Sequence, residues 1–118
     1  MAAKDELGRR GEDEAVRYLE QRGLVVLSRN WRCRDGELDV VAVDGDRLVV
    51  CEVKTRSGTR FGEPAEAVTP RKAARIRRLT QAWLATHHVR WCEIRFDVVA
   101  VLMEPGRPAT LQHYEAAF

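Results

Sequence analysis

Two short stretches of this sequence place acids and a base at the spacing of same-face positions on a β-strand. Glu37 and Asp39 are two residues apart, and so are Glu52 and Lys54. Side chains alternate along a strand, so each pair shares a face, with Cα atoms about 6.6 Å apart. Between the stretches, Asp44-Gly45-Asp46 is a strong hairpin signal. If Gly45-Asp46 is the two-residue loop, Asp44 faces Arg47 and Asp39 faces Glu52. A four-residue loop from Asp44 to Arg47 keeps that register. If Asp44-Gly45 is the loop, Asp39 faces Val50 and has Glu52 as its diagonal neighbour. Either register sets the two carboxylates on one face, with Cβ atoms roughly 5–8 Å apart. Acids this close repel unless something compensates. A divalent cation such as Mg²⁺, which binds carboxylate oxygens, would compensate, with Lys54 beside it as a positive donor.

The elements that must hold these residues follow from periodicity and turn chemistry. A helix is expected from about Lys4 to Gln21, with Leu7, Ala15, Tyr18 and Leu19 near helical spacing and Gly23 as its C-cap. Leu24 to Leu27 predicts a strand continuing toward Trp31, and Cys33-Arg34-Asp35-Gly36 a turn. Glu37–Val43 and Arg47–Thr55 predict the two strands of the hairpin. Val40, Ala42, Val49, Cys51 and Val53 line one apolar side of it. Val41, Val43, Leu48 and Val50 line the other, which Asp39 and Glu52 interrupt, and acids among apolar neighbours need a partner. Ser57 to Thr69 reads as a loop. Thr69-Pro70 then opens a second helix running to about Thr86, with Ala73, Ile76, Leu79 or Thr80, and Trp83 on its buried face. Glu93 to Leu102 alternates as a strand, and a short strand is expected near Thr110 to Tyr114. The order α-β-β-β-α-β, with a last strand, predicts an α/β fold with a mixed sheet, its second helix crossing over to a parallel strand.

The chain has 118 residues, one domain's worth, and is 45% hydrophobic and 32% charged, which argues against a disordered or fibrous class. No apolar run approaches the ~18 residues of a membrane span. The stretch Met1 to Glu6 is charged and lacks a secretory apolar core, so a cytoplasmic protein is expected. Cys33, Cys51 and Cys92 are too few and too widely spaced for a disulfide framework or a zinc site, and Cys51 reads as a small core residue.

Gly36-Glu37-Leu38-Asp39 followed by Cys51-Glu52-Val53-Lys54-Thr55-Arg56 resembles the two-part signature of the PD-(D/E)XK nuclease superfamily. Leu38 stands where that signature has Pro. Over nearly its full length the chain resembles the YraN-like proteins, a small bacterial branch. Gly8 to Glu12, Ala15, Tyr18-Leu19, Phe61-Gly62, Glu66 to Val68, Lys72, Arg75-Ile76 and Arg95 to Val99 carry that likeness. The resemblance implies a single domain with a restriction-endonuclease-like αβββαβ core, a central mixed sheet flanked by helices. It implies Asp39 and Glu52 as Mg²⁺ ligands, with Mn²⁺ as a substitute, and Lys54 as the group that orients the attacking water and offsets phosphate charge. Glu12 takes the place of the first-helix glutamate that resolvase-like members add to the metal shell. Analogy with resolvases also suggests a homodimer.

The net charge of +2 is small, but its distribution is uneven. No acid occurs from Ala67 to Cys92, and Arg71, Arg75 and Arg78 recur at helical spacing as one stripe. Lys72 and Arg56 join them as candidates for nucleic-acid contact, with Arg32, Arg34 and Arg60 in loops. Three functions are open at this point. The leading one is Mg²⁺-dependent hydrolysis of DNA phosphodiesters, branched or structured DNA included. The others are a non-catalytic nucleic-acid-binding module and a protein-interaction domain. Blander roles are expected elsewhere: Glu37 at a turn, Asp97 in a structural hydrogen bond, Trp83 in the core, and His87, His88 and His113 on the surface.

Overall fold

The computed structural model describes residues 3–57 and 68–118. Helix α1 (Ala3–Gln21) buries Ala15, Val16 and Leu19 along one stripe. It ends at Gly23, whose φ of 94° lets the chain reverse while the Leu24 N–H bonds back to the Leu19 carbonyl at 3.1 Å. Strands β1 (Val25–Cys33), β2 (Gly36–Asp44) and β3 (Arg47–Arg56) form an antiparallel meander. Helix α2 (Pro70–Thr86) carries the chain to β4 (Glu93–Leu102), which pairs parallel with β3. Strand β5 (Thr110–Tyr114) closes the edge antiparallel to β4. The result is one mixed five-stranded sheet in the order β1-β2-β3-β4-β5, the α/β fold that the pattern of elements predicts.

Both faces of the sheet are covered, and the two apolar sides of the hairpin separate as expected. Ala15 and Leu19 of α1 pack with Val40, Ala42, Val49, Cys51, Val99 and Val101. Ile76, Leu79 and Trp83 of α2 pack with Leu38, Val41, Leu48 and Val50. Leu79 and Thr80, alternatives in the sequence, are both buried, the Thr80 hydroxyl donating to the Ile76 carbonyl at 2.8 Å. Thr69 caps α2, its Oγ1 accepting from the Lys72 N–H at 3.1 Å, with Pro70 opening the helix.

Three details depart from expectation. Strand β1 runs on to Cys33, with a register shift between Val26 and Ser28, and Val25 and Leu27 are 60% and 49% exposed. An apolar run cannot announce such a bulge, because the extra residue breaks the alternation that identifies strands. His113 is not a surface residue: its side chain is 5% exposed, 2.8 Å from Asp97 and within 3.3 Å of the Tyr18 hydroxyl. Ser57 opens the long loop, but 58–67, with Arg60, Phe61-Gly62 and Glu66-Ala67, lie outside the described residues. Among the described residues no helix is long and apolar enough to cross a membrane.

Candidate metal centre

The hairpin adopts the register with Asp44 opposite Arg47, and the β2–β3 ladder ends at Val40 opposite Cys51. The next residues outward, Asp39 and Glu52, lie beyond the paired ladder. There the strands part, and the side chain of Asp39 takes over from the main chain. The Val53 N–H donates to Asp39 Oδ2 at 2.9 Å.

Strict alternation fails at this point. Leu38 belongs to the core under α2 and Val40 to the core under α1, although the residues are only two apart. Asn30 sits across from the break with a φ of 51°. Asp39 therefore does not share one regular face with Glu52, as alternation predicts. It lies at the change of face and meets acids from both sides. On the α1 side it lines a hollow of about 220 Å³ with Leu7, Gly8, Glu12, Lys54 and Thr55. On the α2 side Glu52, 7% exposed, is held by Lys72, with Nζ 2.7 Å from Oε1.

The electrostatics follow from this crowding. Burial, and then the neighbouring Glu52, push the Asp39 carboxyl up to about 7, and the Val53 N–H opposes them only in part. Glu12 is raised as well, mainly by burial. Lys54 is lowered by burial and by the positive charges of Lys72 and Arg56. Asp39 and Glu52 offer only oxygen donors, the ligand type Mg²⁺ takes while keeping several waters. A dication between them would replace the proton that Asp39 otherwise keeps near neutral pH. The chemistry of the donor set and the mutual repulsion of Asp39 and Glu52 fit such an ion. Among the described residues no group of three or more His, Cys, Asp and Glu side chains is gathered that could hold a metal ion. Glu12 joins Asp39 through the hollow, while Glu52 points to Lys72.

The expected nucleic-acid residues divide. Arg71, Arg75 and Arg78 are exposed along α2 and make no ion pair among the described residues. The Arg75 stem passes over Gly36, in β2 beside Glu37. Arg56 is half-buried at the end of β3, where its carbonyl accepts from the Met103 N–H at 2.8 Å. Lys72 is not a free member of this surface, because its ammonium is turned inward to Glu52. Glu37 lies within β2 rather than at a turn, 3.6 Å from Arg32 across the strand pair.

A family model described as an uncharacterised protein family, UPF0102, matches residues 11–101. The chain belongs to UPF0102. The matched span includes Glu12, Asp39, Glu52, Lys54 and the basic positions of α2, and the family is the YraN-like group. A UPF0102 protein of Frankia alni is 58% identical over 118 residues, covering 100% of this chain and 98% of that one. One from Kineococcus radiotolerans is 59% identical over 114 residues, with 96% and 93% covered. One from Acidothermus cellulolyticus is 50% identical over 127 residues, with 99% and 96% covered.

Two features of this UPF0102 chain have no signal in local spacing. Gly11 lies where α1 crosses β3: a Cβ there would fall 2.0 Å from Thr55 Oγ1 and 2.8 Å from Thr55 Cβ. Glycine thus sets the close approach that brings Glu12 to the hollow. Beside it a wider cavity of about 830 Å³ shares Leu7 with the hollow and is walled by Glu6, Arg10, Met103, Glu104 and Arg107. Its walls, Ser57 among them, come from three separate stretches of the chain, so no motif could announce it.

Proposed function

We propose that this protein is a nuclease-like nucleic-acid-binding protein that hydrolyses phosphodiester bonds of DNA with Mg²⁺, in the cytoplasm. The observation that carries the reading is the crowding of Asp39 by Glu52 and Glu12 at a hollow that Lys54 also lines, which pushes the Asp39 carboxyl up to about 7. Asp39 and Glu52 would hold the ion, with Glu12 reaching it through the hollow. When bound, the ion supplies a Lewis acid for a non-bridging phosphate oxygen and lowers the pKa of water. Lys54 lines the hollow with Asp39 and Glu12, and its ammonium stabilises charge building on the phosphate and orients the water. Arg71, Arg75 and Arg78 hold the polyanion along α2, independently of sequence.

The test is cleavage of duplex, single-stranded, flap and four-way DNA with Mg²⁺ or Mn²⁺. Activity should vanish in Asp39→Ala and in Glu52→Ala; cleavage that survives both removes the assignment. Lys54→Ala should lower turnover by about 10²-fold or more with affinity changed by less than about threefold, since its charge acts on the transition state.

A second reading is a binding module without catalysis. It is favoured by the contact of Lys72 with Glu52 and by the lack of a gathered three-carboxylate cluster among the described residues. Salt-sensitive DNA binding with no metal-dependent cleavage on any of the four substrates would establish it.

A further inference from the structure

Lys72 stands in the first turn of α2, where the helix dipole favours acids. That turn has no acid and holds Arg71 as well. The placement is unfavourable for the helix taken alone. Only one described contact compensates Lys72, and it is the 2.7 Å ion pair with Glu52, whose side chain is 9% exposed against 30% for Lys72. The ammonium thus pairs with a carboxylate held largely away from solvent. The proposed ion would also use that carboxylate. A carboxylate oxygen shared with a dication binds an ammonium less well, and the dication, Lys54 and the helix dipole would all repel it.

We propose that Lys72 is the resident counter-ion of the carboxylate site, bonded to Glu52 until a divalent cation takes that carboxylate, and then released to a phosphate of the bound nucleic acid. This inference rests on the metal-dependent reading above. Lys72 is a positioning residue in one state and a phosphate contact in the other. It couples metal binding to nucleic-acid binding through one side chain.

Calorimetric titration of the full chain with Mn²⁺ tests the first half. Lys72→Met, and Lys72→Gln as a second neutral variant, should bind Mn²⁺ about three- to tenfold more tightly than the natural protein, the range expected for loss of one half-buried competing ion pair. Arg71→Met removes the same charge from the same helical turn without touching Glu52, and should change affinity by less than about twofold. Melting curves with and without Mn²⁺ give a second readout, with a larger Mn²⁺-induced rise in Tm for both Lys72 variants. For the second half, binding to a short DNA duplex is followed against salt with Ca²⁺ in place of Mg²⁺. The natural protein should then show a slope steeper than Lys72→Met by about one contact, and the two slopes should coincide in EDTA.

Mn²⁺ affinity unchanged or weakened in both Lys72 variants overturns the inference and leaves the metal site standing. Equal salt slopes in Ca²⁺ overturn the hand-over to phosphate. Absence of Mn²⁺ binding in the natural protein and in every variant overturns the metal reading, and this inference with it.

Discussion

Asp39 concentrates the conflict in this protein. It is half-buried, accepts a main-chain N–H, and faces acids on two sides. Its pKa is raised from 3.8 to about 7, so the folded state holds a proton that the unfolded chain loses near pH 4. The favourable contribution is complete below pH 4 and is lost as pH rises toward 7, where the folded carboxyl ionises. Above pH 7 the ionised acid is a net cost unless a cation offsets it. In a chelating buffer, Asp39→Asn should therefore stabilise the protein at pH 8 by about 1–2 kcal/mol, after allowance for solvent screening, and by much less at pH 5. Urea denaturation across that range measures it; equal effects at both pH values would show that the acid is not strained. Adding Mn²⁺ should stabilise the natural protein and not the Asn variant.

Helix α1 is placed by one glycine. Glycine inside a helix ordinarily costs about 1 kcal/mol against alanine, so a Gly-to-Ala change in an exposed helix is stabilising. At Gly11 the sign reverses, because the new methyl would strike the Thr55 side chain near its root. Gly11→Ala should destabilise by about 1–3 kcal/mol, the usual cost of overpacking. Gly8, in the same helix with open space around it, is the control. Gly8→Ala should be neutral or stabilising, as chemical denaturation would show. Helix α2 is the other working element. Its arginine stripe predicts that Arg75→Ala with Arg78→Ala weakens DNA binding evenly across sequences and lowers the salt slope by about two contacts. A loss confined to one sequence would point to base contacts instead.

The sheet is tied to the end of the chain by a buried charge cluster. Asp97 is fully buried in β4 and accepts from Arg95 Nε and Nη2, both at 2.9 Å, from His113 at 2.8 Å and from the Ala116 N–H at 3.0 Å. Tyr18 of α1 extends the cluster through His113, so β4, β5, the terminal residues and α1 meet at one carboxylate. Burial alone would raise the Asp97 pKa, but the bonds from His113, Arg95 and Ala116 outweigh it and leave it below the usual carboxylate range. Its stabilisation is complete above the unfolded pKa near 4 and is lost as pH falls through the lower folded value. Asp97→Ala should cost about 3–5 kcal/mol at pH 7, since it strands buried Arg95 and His113. That cost should shrink on acidification; a pH-independent cost would show that packing, not charge, holds this corner.

Much of the molecule was legible in the order of its residues. Thr69-Pro70 marked the start of α2, Asp44-Gly45-Asp46 marked the hairpin, and alternation sorted Val40, Ala42 and Cys51 from Val41 and Val50. These rest on local geometry, where a cap, a turn and a period of two leave their signature within a few residues. Asp39, Glu52 and Lys54 stood out because strand spacing is also local. The tertiary structure decided what spacing cannot carry. Asp39 sits where alternation breaks, His113 is buried by a partner 16 residues away, and Lys72 turns from the basic surface to Glu52. Each is a contact between elements, set by how helices pack on the sheet, and burial creates the electrostatics only once that packing exists.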